Sequence, residues 1–364
     1  MQHFTFPPKT RLFRSNAPRV TYAAFCTACA LSTVACDPSA EELDDVMFDE
    51  ALDEFDDPEA EQREPGTESE ADEDSDRGPD AVRLPDAEFG RTVVMGPEGP
   101  MVVTYRIIDD RALVDGDIDI GPVAELPDFD AEQLEQITRS IEAGEEVELP
   151  RAFTPVPLWG QAWPNGNVYY LAPDVGAATI DAKIEDAIDT IEAETDINFI
   201  EISPALAPYI NHVYFTPSFS TPQNVASSEG IGRQGGSQFI RISLLNVISS
   251  NLAGSSTLSE GLFIHELGHA IGLHHEHQRL DRDDYVTVLD ICIEPGYEHN
   301  FEKRPGFMVG PYDGTSIMHY GINVFALGYG FCGATMLPKP GVVINPGNTL
   351  SPGDIAGLDW LASL

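Results

Sequence analysis

The apolar positions of this chain change their period several times, and each change marks a predicted element. An uncharged, mostly apolar or small run, Val20 to Cys36, follows the basic residues Lys9, Arg11, Arg14 and Arg19. It is short for a membrane span, which needs about 20 residues, and reads as an export signal. β-Branched runs at Arg91–Met95 and Met101–Arg106 flank a Pro-Glu-Gly-Pro turn and predict a hairpin. Asp130 to Glu146 carries Leu134, Ile137 and Ile141 at helical spacing. Ile180 to Glu194 repeats that pattern with Ile184, Ala187, Ile188 and Ile191. Short strands are predicted at Val168–Leu171, Asn198–Ile202, Val213–Phe215 and Phe239–Ser243, and a further helix from about Leu258. No internal repeat is present. Early strands with separate helices predict an α+β fold.

Composition divides this pattern into four stretches. Residues 41–76 hold 19 Asp or Glu against one basic residue, Arg63, and no apolar period survives there. Such a stretch is expected to stay disordered. The predicted organisation is a signal segment over 1–36, an acidic linker over 37–81, a propeptide-like region over 82–158 and a second unit over 159–364. The whole chain has a formal net charge of −41 over 364 residues. Phosphate would be repelled, so nucleic acid is excluded as a partner. Thr33-Val34-Ala35-Cys36 resembles a bacterial lipobox, with Thr33 where leucine is usual. Cys36 is therefore a candidate for lipidation and membrane anchoring; an ordinary signal peptide cut nearby is the alternative.

The chemistry concentrates in residues 265–275, His-Glu-Leu-Gly-His-Ala-Ile-Gly-Leu-His-His. His265 and His269 are four apart on a predicted helix, so both imidazoles share one face and can hold one metal ion. Gly272 can end the helix with a left-handed backbone, letting His275 return as a third ligand. Three nitrogens leave one zinc position open for water, and Glu266 is placed to take its proton. One Zn2+ per chain is expected. His274 and His277 read as exposed turn histidines; His212, His299 and His319 read as structural or surface residues. Cys292 and Cys332 are the cysteines outside the signal region. In an exported chain they either pair, closing a loop of about 40 residues, or stay as buried thiols.

The pattern His-Glu-x-x-His-x-x-Gly-x-x-His resembles that of the metzincins. His275-Glu276, Arg279 and Asp281-Arg-Asp-Asp-Tyr-Val286 narrow the resemblance to the astacin family of metallopeptidases. Ser316-Ile-Met-His-Tyr320 resembles that family's methionine-containing turn, and Trp163-Pro-Asn-Gly166 and Leu350 to Gly357 resemble its first and last segments. The resemblance implies a zincin-like fold: a twisted, mainly parallel sheet and zinc helix over an irregular lower half. It implies endopeptidase action on protein or peptide substrates by a monomer. It places Met318 beneath the metal and makes Tyr320 a switchable fifth ligand able to bond an oxyanion. It gives Glu276 a contact with the N-terminus of the mature enzyme. Family propeptides carry Phe-x-Gly-Asp, whose aspartate blocks the zinc; Val114-Asp-Gly-Asp117 departs by one valine and makes Asp117 the candidate latch. Activation cleavage is expected between about Asp117 and Trp163, with Arg151 one possible site. A non-catalytic protein keeping the fold, or a hydrolase of another amide, are the competing readings; intact Glu266 and Tyr320 oppose the first.

Overall fold

The computed structural model describes residues 88–147, 149, 156–218, 225–256 and 258–364. The signal-like segment, Cys36, the acidic linker and Arg151 lie outside the described residues. Among the described residues no helix is long and apolar enough to cross a membrane.

The chemistry-bearing half begins with Trp163 and strand β6 (Asn167–Tyr170) and continues through α2 (Ala178–Glu194), β7 (Asn198–Glu201), β8 (His212–Ser218), β9 (Ala226–Glu229), β10 (Ser237–Ser243), α3 (Leu244–Ala253) and α4 (Glu260–Ile271). The strands lie in the order β9-β10-β8-β6-β7. All neighbours are parallel except β9, which runs antiparallel to β10. The apolar stripe predicted on α2 is the buried one: Ile180, Ile184, Ala187, Ile188 and Ile191. They share one core with Val168, Phe215, Ile240 and Ile242 of the sheet and with Phe263, Ile264, Leu267 and Ile271 of α4. Alternation along β10 sends Ile240 and Ile242 into that core and leaves Phe239 and Arg241 on the other face. Two elements were not foreseen. α3 mixes apolar residues with Asn246, Ser249, Ser250 and Asn251 in no clean period, and β9 reads Ala-Ser-Ser-Glu.

The region expected to be a propeptide extends this same sheet. β1 (Phe89–Gly96), β2 (Gly99–Ile108), β3 (Arg111–Val114) and β4 (Ile118–Pro122) form an antiparallel meander, and β4 joins β9 in parallel through Ile118↔Ser228 and Asp119↔Glu229. A two-residue strand β5 (Val156–Pro157) closes the far edge, giving ten strands in all. The predicted hairpin is β1–β2. The predicted helix is α1 (Ala131–Ala143), started by an Asp130/Gln133 capping box and ended by Gly144 at φ 66°. The mainly parallel sheet expected from the resemblance thus holds for the second half of the chain. The first half adds antiparallel strands to it.

Below the sheet, residues 273–349 are mostly turns, with one short ladder of β11 (Val286–Val288) and β12 (Met336–Pro338). Little regular hydrogen bonding holds this half, so a covalent tie matters there. Cys292 and Cys332 form a disulfide across 40 residues, with Cα atoms 4.8 Å apart. Both cysteines are buried. The chain closes with α5 (Pro352–Ala362). Replacing both cysteines by serine should lower unfolding stability by about 3–4 kcal/mol, the chain-entropy value for such a loop. Urea denaturation of wild type and double variant measures it, and a loss under about 1 kcal/mol would show that the lower half holds itself.

Candidate metal centre

α4 is built to present its polar groups downward. Ser259 caps its N-terminus by accepting from the Leu262 amide at 3.3 Å. Trp163 holds the other end, donating from its indole nitrogen to the Ala270 carbonyl at 2.8 Å. The helix stops at Gly272, where φ is 141°, a backbone that glycine takes most readily. Leucine, isoleucine and phenylalanine fix the upper face in the core, so His265, Glu266 and His269 are left on the face above the cleft. The chain reverses after Gly272 and returns His275 to the same point.

The three imidazoles and Asp117 converge there, with ligand atoms all within 4.8 Å of one another. Asp117 Oδ2 lies 3.2 Å from His265 Nε2 and 3.4 Å from His275 Nε2, and Oδ1 lies 3.6 Å from His269 Nε2. His265 Nδ1 donates to the Ile317 carbonyl at 2.8 Å, and His269 Nδ1 to the Leu273 carbonyl at 2.9 Å. Those bonds fix the tautomer in which Nε2 keeps its lone pair, the form a metal ligand needs. Burial, helped by neighbouring His275, pushes His269 well below the usual imidazole range and keeps it neutral. His269 Nε2, His275 Nε2, Asp117 Oδ1 and Glu266 Oε2 are buried without a hydrogen-bond partner. Buried polar atoms are normally paired, so a divalent cation bound by the three nitrogens and the Asp117 carboxylate fits this donor set.

Glu266 lies among the same groups and is buried. Burial first, and then the Asp117 carboxylate, push it well above the ordinary carboxylate range. A proton acceptor so placed binds its proton more readily than a solvated glutamate. Met318 sits beneath α4. A β-carbon at Gly268 would come within 2.9 Å of its sulfur, so the glycine lets the thioether reach the helix backbone. The Met318 carbonyl also accepts from the Glu276 amide at 3.0 Å, which ties the turn to the third ligand.

Other expected site residues are placed as follows. Tyr320 is buried, and its hydroxyl donates to the Asp115 carbonyl. In this form of the molecule the phenol is engaged by the chain segment that carries Asp117. Glu276 accepts from the Asp313 amide at 2.7 Å and lies 3.3 Å from Arg279. Burial raises its pKa to about 7. It lines a cavity of about 440 Å³ together with Trp159, Gly160, Gln161 and Trp360. A second cavity, of about 410 Å³, is bordered by Asp117, His265, Glu266 and Tyr320 and opens beside the metal centre.

The reading of His274 and His277 as exposed turn residues is corrected. His277 is fully buried, stacked on Tyr320 with ring centroids 4.0 Å apart, and bonded to the Asn300 carbonyl. His274 is stacked on Trp159 and lies 3.4 Å from the Asp115 carboxylate. His212, His299 and His319 are buried, as structural residues. Two residues of the site were missed. Asp354 accepts from Ser316 Oγ at 2.6 Å and from the Ile317 amide at 2.9 Å, and so holds the turn that carries Met318. Its signal was the capping box Ser351-Pro-Gly-Asp354. Arg304 grips Asp115, with Nη2 to Oδ1 at 2.7 Å. Nothing local in its sequence marked it.

Comparison with known proteins agrees with this geometry. The family model for Astacin, a peptidase family, matches residues 159–356, more than half of the chain. Zinc metalloproteinase nas-14 of Caenorhabditis elegans is 32% identical over 164 residues, covering 43% of this chain and 29% of that protein. High choriolytic enzyme 1 of Oryzias latipes is 34% identical over 181 residues, covering 50% and 60%. Tolloid-like protein 1 of Homo sapiens is 35% identical over 222 residues, covering 58% and 20%. The chain therefore spans less than two thirds of the length of these relatives. The solved structure of high choriolytic enzyme 1 aligns with a TM-score of 0.45 at 28% identity, over 56% of this chain and 94% of that one. With that family model matching residues 159–356, the chain belongs to the astacin family of zinc metallopeptidases.

Proposed function

We propose that this chain is an exported zinc endopeptidase made as a latent zymogen. The observation that carries the reading is the cluster of His265, His269, His275 and Asp117, with unpaired buried ligand atoms and Glu266 beside it. When bound, zinc supplies a Lewis acid that activates water and polarises a peptide carbonyl. His265, His269 and His275 would hold it; backbone bonds orient the rings of His265 and His269, and Met318 lies beneath the helix that carries them. Glu266 accepts the proton of the attacking water as its oxygen bonds to the carbonyl carbon. It then passes that proton to the amine as the carbon–nitrogen bond breaks. Substrate occupies the cavity beside Asp117 and Tyr320 once the prosegment has gone. Release of the Asp115 carbonyl frees the Tyr320 phenol to donate to the developing oxyanion.

Asp117 is the latch in this reading. It sits at the tip of the β3–β4 hairpin, where Asp115 and Gly116 have φ 55° and 96°. A β-carbon at Gly116 would collide with the Tyr320 hydroxyl, so only glycine brings the tip this close. Glu276 is available to meet the ammonium of the new N-terminus across the 440 Å³ cavity. Export is supported by the basic and apolar N-terminal pattern and the disulfide, and lipidation of Cys36 by its lipobox-like setting. The protease is proposed to act as a monomer.

Glu266→Gln should keep its zinc content and lose activity by about 10²–10⁴-fold once the prosegment is removed. Casein digestion with metal analysis measures both, and digestion that survives a chelator would sink the protease reading. Asp117→Ala in the full chain should alter the visible spectrum of the cobalt-substituted protein, because one oxygen ligand is lost. An unchanged spectrum would remove Asp117 from the metal.

A further inference from the structure

Two more aspartates flank Asp117, and both are buried against arginines of the protease half. Asp115 is 0% exposed and Arg304 3%. Arg304 Nε lies 3.2 Å from each carboxylate oxygen, Nη2 lies 2.7 Å from Oδ1, and His274 Nε2 approaches Oδ2 at 3.4 Å. On the other side Asp119, 1% exposed, accepts from Arg241 Nε at 2.8 Å. Arg111 of the prosegment also bonds Asp119 and reaches Glu229 of β9 at 3.3 Å. Around Asp119 each half thus contributes one cation and one anion to a crossed quartet. Main-chain bonds run beside them, from the Ser228 amide to the Asp117 carbonyl at 3.0 Å and from the Gly230 amide to the Asp119 carbonyl at 3.1 Å.

We propose that the prosegment, after its link to the protease is cut, stays bound as a non-covalent inhibitor held by Asp115 on Arg304 and Asp119 on Arg241. The inference rests on the latch reading for what is inhibited, but the two contacts do not pass through the metal. Both pairs join segments that activation cleavage would separate. Residues 88–147 also carry their own helix and meander, and Val94, Val103, Val114 and Ile118 pack with Leu158, which follows the 150–155 stretch, and with Ile231 of the other half. Cutting one peptide bond leaves all of these contacts in place. Activation then needs a second event that removes the prosegment itself, by proteolysis within it or by displacement. Removing one partner of such a buried pair leaves the other charge unpaired in a dry interface, the costly case for ion pairs.

The test uses the full chain with a single specific protease site placed within residues 150–155. After cutting, size-exclusion chromatography is run with zinc and with a chelator. The wild-type prosegment should co-elute with the protease half in both. Asp115→Asn/Asp119→Asn should release it in chelator, with retention weakened by about 100-fold or more. Glu98→Gln, which removes a charge from an exposed position, should behave as wild type. Arg241→Gln probes the same contact from the protease side, and far-UV circular dichroism confirms that each variant is folded. Release of the wild-type prosegment by chelator alone would overturn the proposal, because the metal would then be the holding contact. So would co-elution of the double variant and of Arg241→Gln at the wild-type level. Asp117→Ala should remain bound here while altering the cobalt spectrum. An unaltered spectrum with normal retention would end the latch reading and leave the ion-pair clamp standing.

Discussion

Three imidazoles, Glu266 and Asp117 are gathered at one point, and a divalent cation is what their donor set fits. Asp117 Oδ2 lies 3.2 Å from His265 Nε2, while His269 Nε2, His275 Nε2, Asp117 Oδ1 and Glu266 Oε2 are buried without a hydrogen-bond partner. A divalent ion satisfies the nitrogens and one carboxylate at once. The surrounding structure is arranged around that need. α4 supplies two ligands from one face, the positive φ at Gly272 returns the third, and carbonyls at Ile317 and Leu273 set two of the tautomers.

The lower half positions the rest through a chain of hydrogen bonds more than through packed secondary structure. Asp354 caps α5 and holds Ser316 and Ile317; the Met318 carbonyl in turn accepts from Glu276, next to the third ligand. One carboxylate therefore links the final helix, the methionine turn and the metal. This explains how the irregular stretch over 273–349 can carry groups held to a fixed geometry. Its shape is fixed at a few anchored points, with the Cys292–Cys332 bridge as one of them.

How far the sequence disclosed this depends on whether a feature is local. The ligand spacing, the helix stripe of α2 and the hairpin of β1–β2 are written in short-range periodicity, and the structure places them where that periodicity predicts. β9 is invisible by the same logic. Its Ala-Ser-Ser-Glu stretch has no apolar alternation, and it is held between β10 on one side and β4 on the other. Part of its support comes from a strand far away along the chain. His277 and Arg304 were unreadable for a related cause. A histidine after a helix and an arginine in a loop look solvated until distant Tyr320 and Asp115 arrive to cover them.

The acidic character of the chain then takes on two distinct meanings. In residues 41–76 the 19 carboxylates have one basic residue, Arg63, among them. In Asp115 and Asp119 the same residue type is buried and in Asp117 mostly so, and each carboxylate faces a cationic group or an imidazole of the other half. Net charge cannot separate these cases; the two-residue spacing around a glycine turn can. The turn through Asp115 and Gly116, both at positive φ, sets Asp115, Asp117 and Asp119 against different groups of the other half. A carboxylate buried against another part of the chain must be matched there by a cation or it would oppose the packing. Arg304 and Arg241 are that match, so the fit of residues 88–147 against the rest of the chain rests on paired charges as well as on the Asp117 cluster.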